Sequence, residues 1–384
     1  MKKILVVGAG VAGLTVCYWL KKFGFLPVLI EKSDFLRTGG HAVDIRSPAV
    51  DIIKKMDIYE SIFEMRTQLE NSYHVGADNK IIKESHGEES GFNHGDDVEI
   101  VRGDLLWILM DSIKDIPCHF GQTITQIKQH EKYVEITLKS GKTEYYDLVI
   151  GADGLYSSTR EMAFTTEQFA SVDLNTYIGV FSIPNYLNLN RSEIDFESDN
   201  KLISVTSFND RYIDKAIVAF SFSCDEKMND VRDQMEQKTL LRSKFMNMGW
   251  EVNNLLKLMD DSDDFYFDSA KQIHMTSWTE GRVALIGDAG YCAAPLAGQG
   301  TSQAIIGAYL LAVELKRLGG NHSIAFDHYN KLLRPYVEAN HDLALWVSEM
   351  YFLLDEVSDT EIELRNDMIK EKLQIASNAI KLPE

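Results

Sequence analysis

An α/β chain in three parts is predicted, on three observations. Residues 3–7 (KILVV) form a short apolar, β-branched run that passes through glycines into helical spacing at 11–23 and a second apolar run at 27–30, the pattern of a strand–helix–strand unit. From about 172 to 223, strand-like runs are separated by polar turns, as in an antiparallel sheet with one face free. From 321 to 380 nearly everything carries helical spacing. The expected architecture is therefore a Rossmann-type dinucleotide-binding domain, an antiparallel-sheet domain offering a substrate surface, and a helical C-terminal extension.

The 384 residues, 45% hydrophobic and 25% charged, suffice for a full core and two domains or more. No apolar run reaches the roughly 18 residues that cross a bilayer, and the opening MKKILVVGAG runs straight into glycines without a cleavable apolar region, so a cytoplasmic, non-membrane protein is expected. Lys and Arg total 39 against 58 Asp and Glu, a net charge of −19 that repels phosphate backbones and argues against nucleic acid. Cys17, Cys118, Cys224 and Cys292 are far apart and the ten histidines show no ligand spacing, so neither a disulfide framework nor a metal site is expected.

Each further element has its own signal. The stretch 33–48 contains Gly39, Gly40 and Pro48 and reads as a loop, and 49–70 reads as a helix starting after that proline. Residues 72–84 alternate around Ala77-Asp78-Asn79 as a hairpin. Helical spacing returns at 103–115, two strands at 123–129 and 133–138 flank a polar turn, and 146–154 (YDLVIGADG) is an apolar strand ending in glycines. The runs TYIGVFSIP, KLISVTSF and AIVAFSF supply the antiparallel sheet, 228–261 reads as mostly helical, 283–287 is a buried strand, and a helix runs from about 300 to 317. The division that follows assigns 1–70, 101–170 and 270–320 to the dinucleotide domain, 71–100 and 171–269 to the substrate domain, and 321–384 to the extension.

Gly8-Ala9-Gly10-Val11-Ala12-Gly13 lies between the first strand and helix, and Glu31 ends the second strand, roughly 20 residues on. Gly8 permits the tight turn, Gly10 lets backbone approach a pyrophosphate, and Gly13 lets helix and strand pack closely. The helix N-terminus favours the phosphates' charge, and Glu31 would accept from ribose hydroxyls. This unit alone does not separate FAD from NAD. Two later strand ends do: Gly151-Ala152-Asp153-Gly154, and Gly287-Asp288-Ala289 followed by Pro295, Gly298, Gln299 and Gly300 before a helix. Three such sites favour one long cofactor laid across several strand tips, hence a Rossmann-type FAD-binding domain.

With these residues the chain resembles the group A flavoprotein monooxygenases of the para-hydroxybenzoate hydroxylase type of fold, through Gly8–Gly13 with Glu31, Asp153-Gly154, Gly287-Asp288 and the run Pro295 to Gly300. Within that group it is most similar to the tetracycline destructases, through ValGlyAlaGlyValAlaGlyLeu at 7–14, GlyGlyHisAlaValAspIleArg at 39–46, ValArgGlyAspLeu at 101–105 and the helical extension. The resemblance implies an FAD-dependent monooxygenase that takes electrons from NADPH or NADH, reacts with O2 through a flavin C4a-hydroperoxide, and oxidises and inactivates tetracyclines; a monomer is expected. It places Asp44 and Arg102 against the flavin end, Asp153 at its turn with Gly154, Asp288 on the ribitol, and Pro295, Gly298 and Gly300 beside the isoalloxazine. Val11, Ala12, Lys32 and Gly40 complete the expected cofactor contacts, and Arg37 matches an arginine associated with the nicotinamide donor. Where the family often has Gly-Asp-Ala-Ala-His, this chain has Gly287-Asp288-Ala289-Gly290-Tyr291.

No catalytic side chain is assigned, because the difficult chemistry belongs to the cofactor. The substrate, a small polycyclic molecule, is expected against the sheet, with Tyr177, Phe181, Thr206 and Phe220 as candidate contacts; the other reading of the aromatics is that they fill the core between sheet and helices. Trp346, Tyr351 and Phe352 either cover the pocket or brace the domains. The competing functions are a flavin monooxygenase hydroxylating an aromatic or polyketide metabolite, a flavin-binding sensor or carrier without oxygenase activity, and an NAD-only dehydrogenase.

Overall fold

Residues 4–7 are apolar at every position and buried at every position, so β1 (Lys3–Val7) sits inside a sheet with helices on both sides. The computed structural model describes residues 1–36, 40–87, 95–224, 233–350 and 358–383. After β1 come α1 (Val11–Lys22), β2 (Leu26–Ile30), β3 (Ala42–Ile45), α2 (Ala49–Lys55), α3 (Tyr59–Glu64), β4 (Asn71–Val75), β5 (Ile81–His86), β6 (Val98–Val101) and α4 (Arg102–Asp111). Then follow β7 (Cys118–His119), β8 (Ile124–Gln129), β9 (Val134–Leu138), β10 (Thr143–Tyr146), β11 (Leu148–Gly151), α5 (Ser158–Ala163), β12 (Phe169–Pro184), β13 (Ser192–Ser198), β14 (Lys201–Ser207) and β15 (Lys215–Ser223). The chain continues with α6 (Gln234–Phe245), α7 (Val252–Leu258), β16 (Tyr266–Met275), β17 (Thr279–Glu280), β18 (Val283–Leu285), α8 (Asp288–Tyr291), α9 (Gly300–Arg317), α10 (His322–Met350) and α11 (Asp359–Ser377).

A six-stranded sheet has the order β17-β18-β11-β1-β2-β7, parallel except at β17. It brings the ends of β1, β11 and β18 side by side, with Val7 paired to both Ile30 and Gly151, and Gly151 to Leu285. A seven-stranded sheet has the order β16-β12-β15-β14-β13-β4-β5, antiparallel except for the parallel pair β13–β4. β3 and β6 form a separate antiparallel pair, so the stretch expected as a loop contains a strand.

Two expected helices are broken. The one at 49–70 stops at Asp57, whose φ of 60 no helix accommodates, and resumes as α3. The helical stretch at 228–261 is interrupted by Asn247, Gly249 and Trp250, all at positive φ, which turn the chain between α6 and α7. β13 and β16 are strands that no run singled out along the sequence announced. β13 reads SEIDFES, an acid–apolar alternation that is a half-buried strand by period although its charge suggests a turn.

One face of the seven-stranded sheet is covered by α6 and α7. Tyr177, Phe181, Phe196, Ile203, Val205, Val218, Phe220 and Phe222 pack there with Leu241, Phe245, Leu255 and Leu256. A side chain at Gly179 would stand 2.4 Å from Leu241, so this glycine sets how closely α6 approaches. Each buried Phe contributes about 1.5–3 kcal/mol here.

The C-terminal elements are held by buried polar ties. Tyr329 on α10 donates to the carbonyl of Leu285 at 3.0 Å, and its hydroxyl lies 3.3 Å from that of Tyr291 at the end of α8. The Tyr291 ring occupies space that only Gly307 on α9 leaves open. Gly307→Ala would set a methyl 1.8 Å from the Tyr291 hydroxyl oxygen. Denaturant titration is expected to find that variant less stable by about 1–3 kcal/mol, the usual cost of overpacking, with Tyr291→Phe in the same chain recovering part of the loss. Equal losses in the single and double variants would mean that this contact is not responsible.

Candidate functional site

The fingerprint turn is built by backbone contact. Gly8 has φ 108, and a Cβ there would lie 2.4 Å from the carbonyl oxygen of Ala152; a Cβ at Gly13 would lie 1.9 Å from the carbonyl oxygen of Gly8. Gly10, in contrast, faces open space. It is the residue before α1, it offers no side-chain cap, and the first helical bond is Leu14 N–H to its carbonyl. The N–H groups of the first turn, Val11 and Ala12 among them, therefore point outward as donors. Glu31 stands beside this turn, accepting from the N–H of Ala9 at 2.8 Å and of Ser33 at 2.9 Å, while Lys32 is exposed.

The other two motif segments converge on the same place. Gly287, at φ 61, packs so tightly against α1 that a Cβ would come within 3.0 Å of Ala12 Cβ. Asp288 follows at the start of α8, exposed to the cleft yet crowded by protein, which raises its carboxyl above the ordinary range, with Arg102 opposing the shift. Asp153 is turned inward, taking the hydroxyls of Ser157, Ser158 and Thr159 and the N–H of Thr159. Its carboxylate thereby holds the start of α5, and at Gly154 (φ 82) a Cβ would meet nothing.

Asp44 lies directly across the β3–β6 pair from Glu99. Arg46, almost fully buried, binds Asp44 at 2.9 Å, donates from its guanidinium to the carbonyl of Gly298, and donates from its backbone N–H to Ser302 Oγ at 2.9 Å. Pro295, Gly298 and Gly300 are exposed along one edge while Ala297 and Gln299 between them are buried. Gly40 packs on Arg102, whose N–H donates to His41. Arg37 lies outside the described residues, as do Tyr351 and Phe352. Arg46, Glu99, Ser302 and Arg160 escaped the sequence reading; Arg160 is buried and ties α5 to α8 through the carbonyl of Ala289.

An open glycine cradle at an uncapped helix start, an acid at the second strand's end, a buried arginine whose Nε has no hydrogen-bond partner among the described residues, and an exposed glycine edge fit an extended dinucleotide with a planar end. FAD is such a molecule.

The sheet's two faces differ. Tyr177, Phe181 and Phe220 point into the core beneath α6 and α7, so the expectation that they line a substrate wall is corrected in favour of the core-filling reading. Thr206 alternates out of phase with Ile203 and Val205 and lies on the opposite face, bonded to Glu193 at 2.9 Å; Ser204 bonds Asp195 on the same side. Burial and neighbouring acids push the carboxyls of Glu99 and Glu193 up to about 8 and that of Asp195 to about 7. Glu197 completes the row and meets Arg365 of α11 at 3.0 Å, both buried. α11 also reaches Lys83 through Glu363 at 2.9 Å, Gln299 through Ser377 at 2.6 Å, and Leu296 through Leu373, so it lies across this face and the glycine edge together.

The chain belongs to the FAD binding domain family, whose pattern matches residues 1–344. It is an FAD-dependent monooxygenase. It is 49% identical over 383 residues to a flavin-dependent monooxygenase of an unknown prokaryotic organism, covering 100% of this chain and 99% of that one. It is 48% identical over 382 residues to a flavin-dependent monooxygenase of Legionella longbeachae serogroup 1 (strain NSW150), covering 100% and 98%. Among solved structures, tetracycline destructase Tet(55) superposes with a TM-score of 0.94 at 49% identity, covering 100% of this chain and 99% of that one. Tetracycline destructase Tet(51) gives 0.91, also at 49% identity, with 100% of both covered.

Gly10→Val should fold, since the backbone there is extended and the space empty, but fill the cradle; flavin absorbance per mole of purified protein is expected to fall below one-tenth of the parent's, and stoichiometric yellow cofactor would refute the assignment. Glu99 and Glu193 bind a proton more tightly folded than unfolded, so their stabilising effect is complete below pH about 4.5 and is lost as pH rises towards 8. Glu193→Gln cannot ionise. Its melting temperature relative to the parent should therefore climb between pH 5 and 8; a pH-independent difference would contradict the burial of that carboxyl.

Proposed function

We propose that this enzyme uses NAD(P)H and O2 to oxidise and so inactivate tetracyclines. The observation that carries this reading is full-length similarity in sequence and fold to two tetracycline destructases. Bound FAD supplies the redox chemistry, accepting electrons from the nicotinamide donor and activating O2.

The chain's own residues supply the rest. The first turn of α1, from Gly10 to Gly13, holds the pyrophosphate, Glu31 the adenosine ribose, and Asp288 the ribitol. Asp44, Arg46 and Arg102 set the flavin end, and Pro295 to Gly300 present a flat backbone edge to its ring. The substrate lies on the sheet face that carries Ser204 and Thr206, enclosed by α11. The acid–hydroxyl pairs there suit a ligand rich in hydrogen-bond donors. Enclosure keeps bulk water from the reacting centre. A monomer in the cytoplasm, where reduced nicotinamide is available, is the working form we assign; no helix among the described residues is long and apolar enough to cross a membrane.

With purified holoenzyme, NADPH and tetracycline, the drug's long-wavelength absorbance should decay while NADPH is consumed faster than without drug. Flavin-bound protein whose NADPH oxidation ignores tetracycline but responds to another aromatic or polyketide compound would move the function to a metabolite hydroxylase.

A further inference from the structure

Ala294, buried between α8 and the glycine edge, has φ 74 and ψ 156, a backbone region that glycine enters freely and other residues hardly at all. Among the described residues, the other positive-φ positions of the cofactor segments, Gly8, Gly40, Gly154, Gly287 and Gly298, are all glycines. An alanine stays there only where its surroundings hold it. Two elements hold the chain just before it. The carbonyl of Cys292 accepts from the N–H of Ile273 on β16 at 2.9 Å and from Nε2 of His341 on α10 at 3.1 Å. Gln272, also on β16, donates to the backbone carbonyl of His341 at 2.8 Å, and its side-chain oxygen accepts from Nε2 of His274 at 2.8 Å. His341 and Gln272 are both buried. Burial and the neighbouring His274 ring bring the His341 imidazole down to about 4, so at neutral pH it is uncharged and carries its proton on Nε2.

The strained residue leads directly into the glycine edge. Ala293, Ala294 and Ala297 pack with Leu174 and Ala270 of the large sheet and with Ala344 of α10, so the segment has no room to relax outward. The N–H of Ala297 donates to the Ala294 carbonyl at 3.2 Å and that of Gly298 to the Pro295 carbonyl at 2.9 Å, so the turn begun at Ala294 sets where Pro295, Gly298 and Gly300 stand. α10 meets the same segment again at its far end, where the Tyr336 hydroxyl lies 3.4 Å from Gln299 Oε1. From this geometry we infer that His341 is a positioning residue: by holding the Cys292 carbonyl it keeps Ala294 in its strained conformation, and so fixes the edge against which the flavin ring lies. This rests on the reading of that edge as the ring's seat. His341 acts through the backbone alone. Glycine at position 294 would take the same angles unaided, and the hold from α10 would then be dispensable.

The test uses purified holoenzyme without tetracycline, so that its outcome does not depend on the substrate assigned above. FAD affinity is read from the fluorescence of flavin released on dilution, the ring's surroundings from its visible absorption bands, and folding from the melting temperature in excess FAD. His341→Ala should weaken FAD binding about tenfold, the order of one buried hydrogen bond, and alter the visible bands. His341→Gln, whose amide N–H can reach the same carbonyl, should restore most of the affinity. Ala294→Gly combined with His341→Ala should return it to within about threefold of the parent, because the two residues act through one hinge. A histidine that only filled space would not be rescued in this way. FAD affinity within about twofold of the parent in His341→Ala, or a double variant as weak as His341→Ala alone, would overturn the proposal. Gly300→Val adds bulk to the edge where a Cβ meets nothing. Parental affinity and bands in that variant would overturn the edge as the ring's seat, and the positioning role with it; altered bands there beside parental bands and affinity in His341→Ala would overturn the positioning role alone.

Discussion

Backbone packs tightly on backbone at the tips of β1, β11 and β18, and the cradle at Gly10 depends on it. Gly8 rests on the Ala152 carbonyl, Gly13 on Gly8, and Gly287 on Ala12, so a single added methyl at any of them would lie at 3.0 Å or less from its neighbour. This packing makes three segments separated by more than a hundred residues into one surface. Interiors this dense do not stretch to admit a side chain. The same contact leaves Gly10 facing outward, where close approach is needed by a ligand rather than by the protein.

A second constraint is electrostatic. Asp44, Glu99, Glu193, Asp195 and Glu197 lie near one another between the β3–β6 pair and the large sheet, with Arg46 at one end and Arg365 at the other. Burying so many carboxylates as ions would cost several kcal/mol each. The structure answers partly by keeping some of them protonated and partly by giving Glu99, Glu193 and Asp195 a hydroxyl partner each, on Thr67, Thr206 and Ser204. Acid–hydroxyl pairs can donate or accept, so this face is polar where the face beneath α6 and α7 is aromatic.

The helical extension is tied into both regions. α10 reaches the α8 turn through Tyr329, and α11 reaches the acid row through Arg365 and the glycine edge through Ser377. Removing the extension would therefore deprive Glu197 of its ion-pair partner and of its cover, and Gln299 of Ser377. Tyr291 belongs to the same linkage. Its bulk is accommodated by Gly307 and its hydroxyl neighbours that of Tyr329, so it helps pack α8 against α9 and α10.

The strand–helix–strand unit, Glu31, the strand tips at Gly151 and Gly287, and the strands β12, β14 and β15 were legible along the chain, because each depends on local spacing, on glycine geometry or on apolar periodicity. Helix breaks at Asp57 and Asn247 were not, since positive φ at Asp or Asn carries no clear signal in sequence. β13 went unread because its acids suggested a turn, although their period of two was that of a strand. Period two also says which of Tyr177, Phe181, Thr206 and Phe220 share a face but not what covers it. That was decided by α6 settling on Gly179, which turned the aromatic face into core and left the face with Thr206 to the cofactor side. Likewise Asp153 reads as a ligand by its place at a strand tip, yet α5 starts close enough to take both of its oxygens. Sequence by itself determined the cofactor class, through residues whose chemistry is local; which side chains face the substrate was left to the tertiary structure, because both faces of a sheet obey the same alternation until another element packs on one of them.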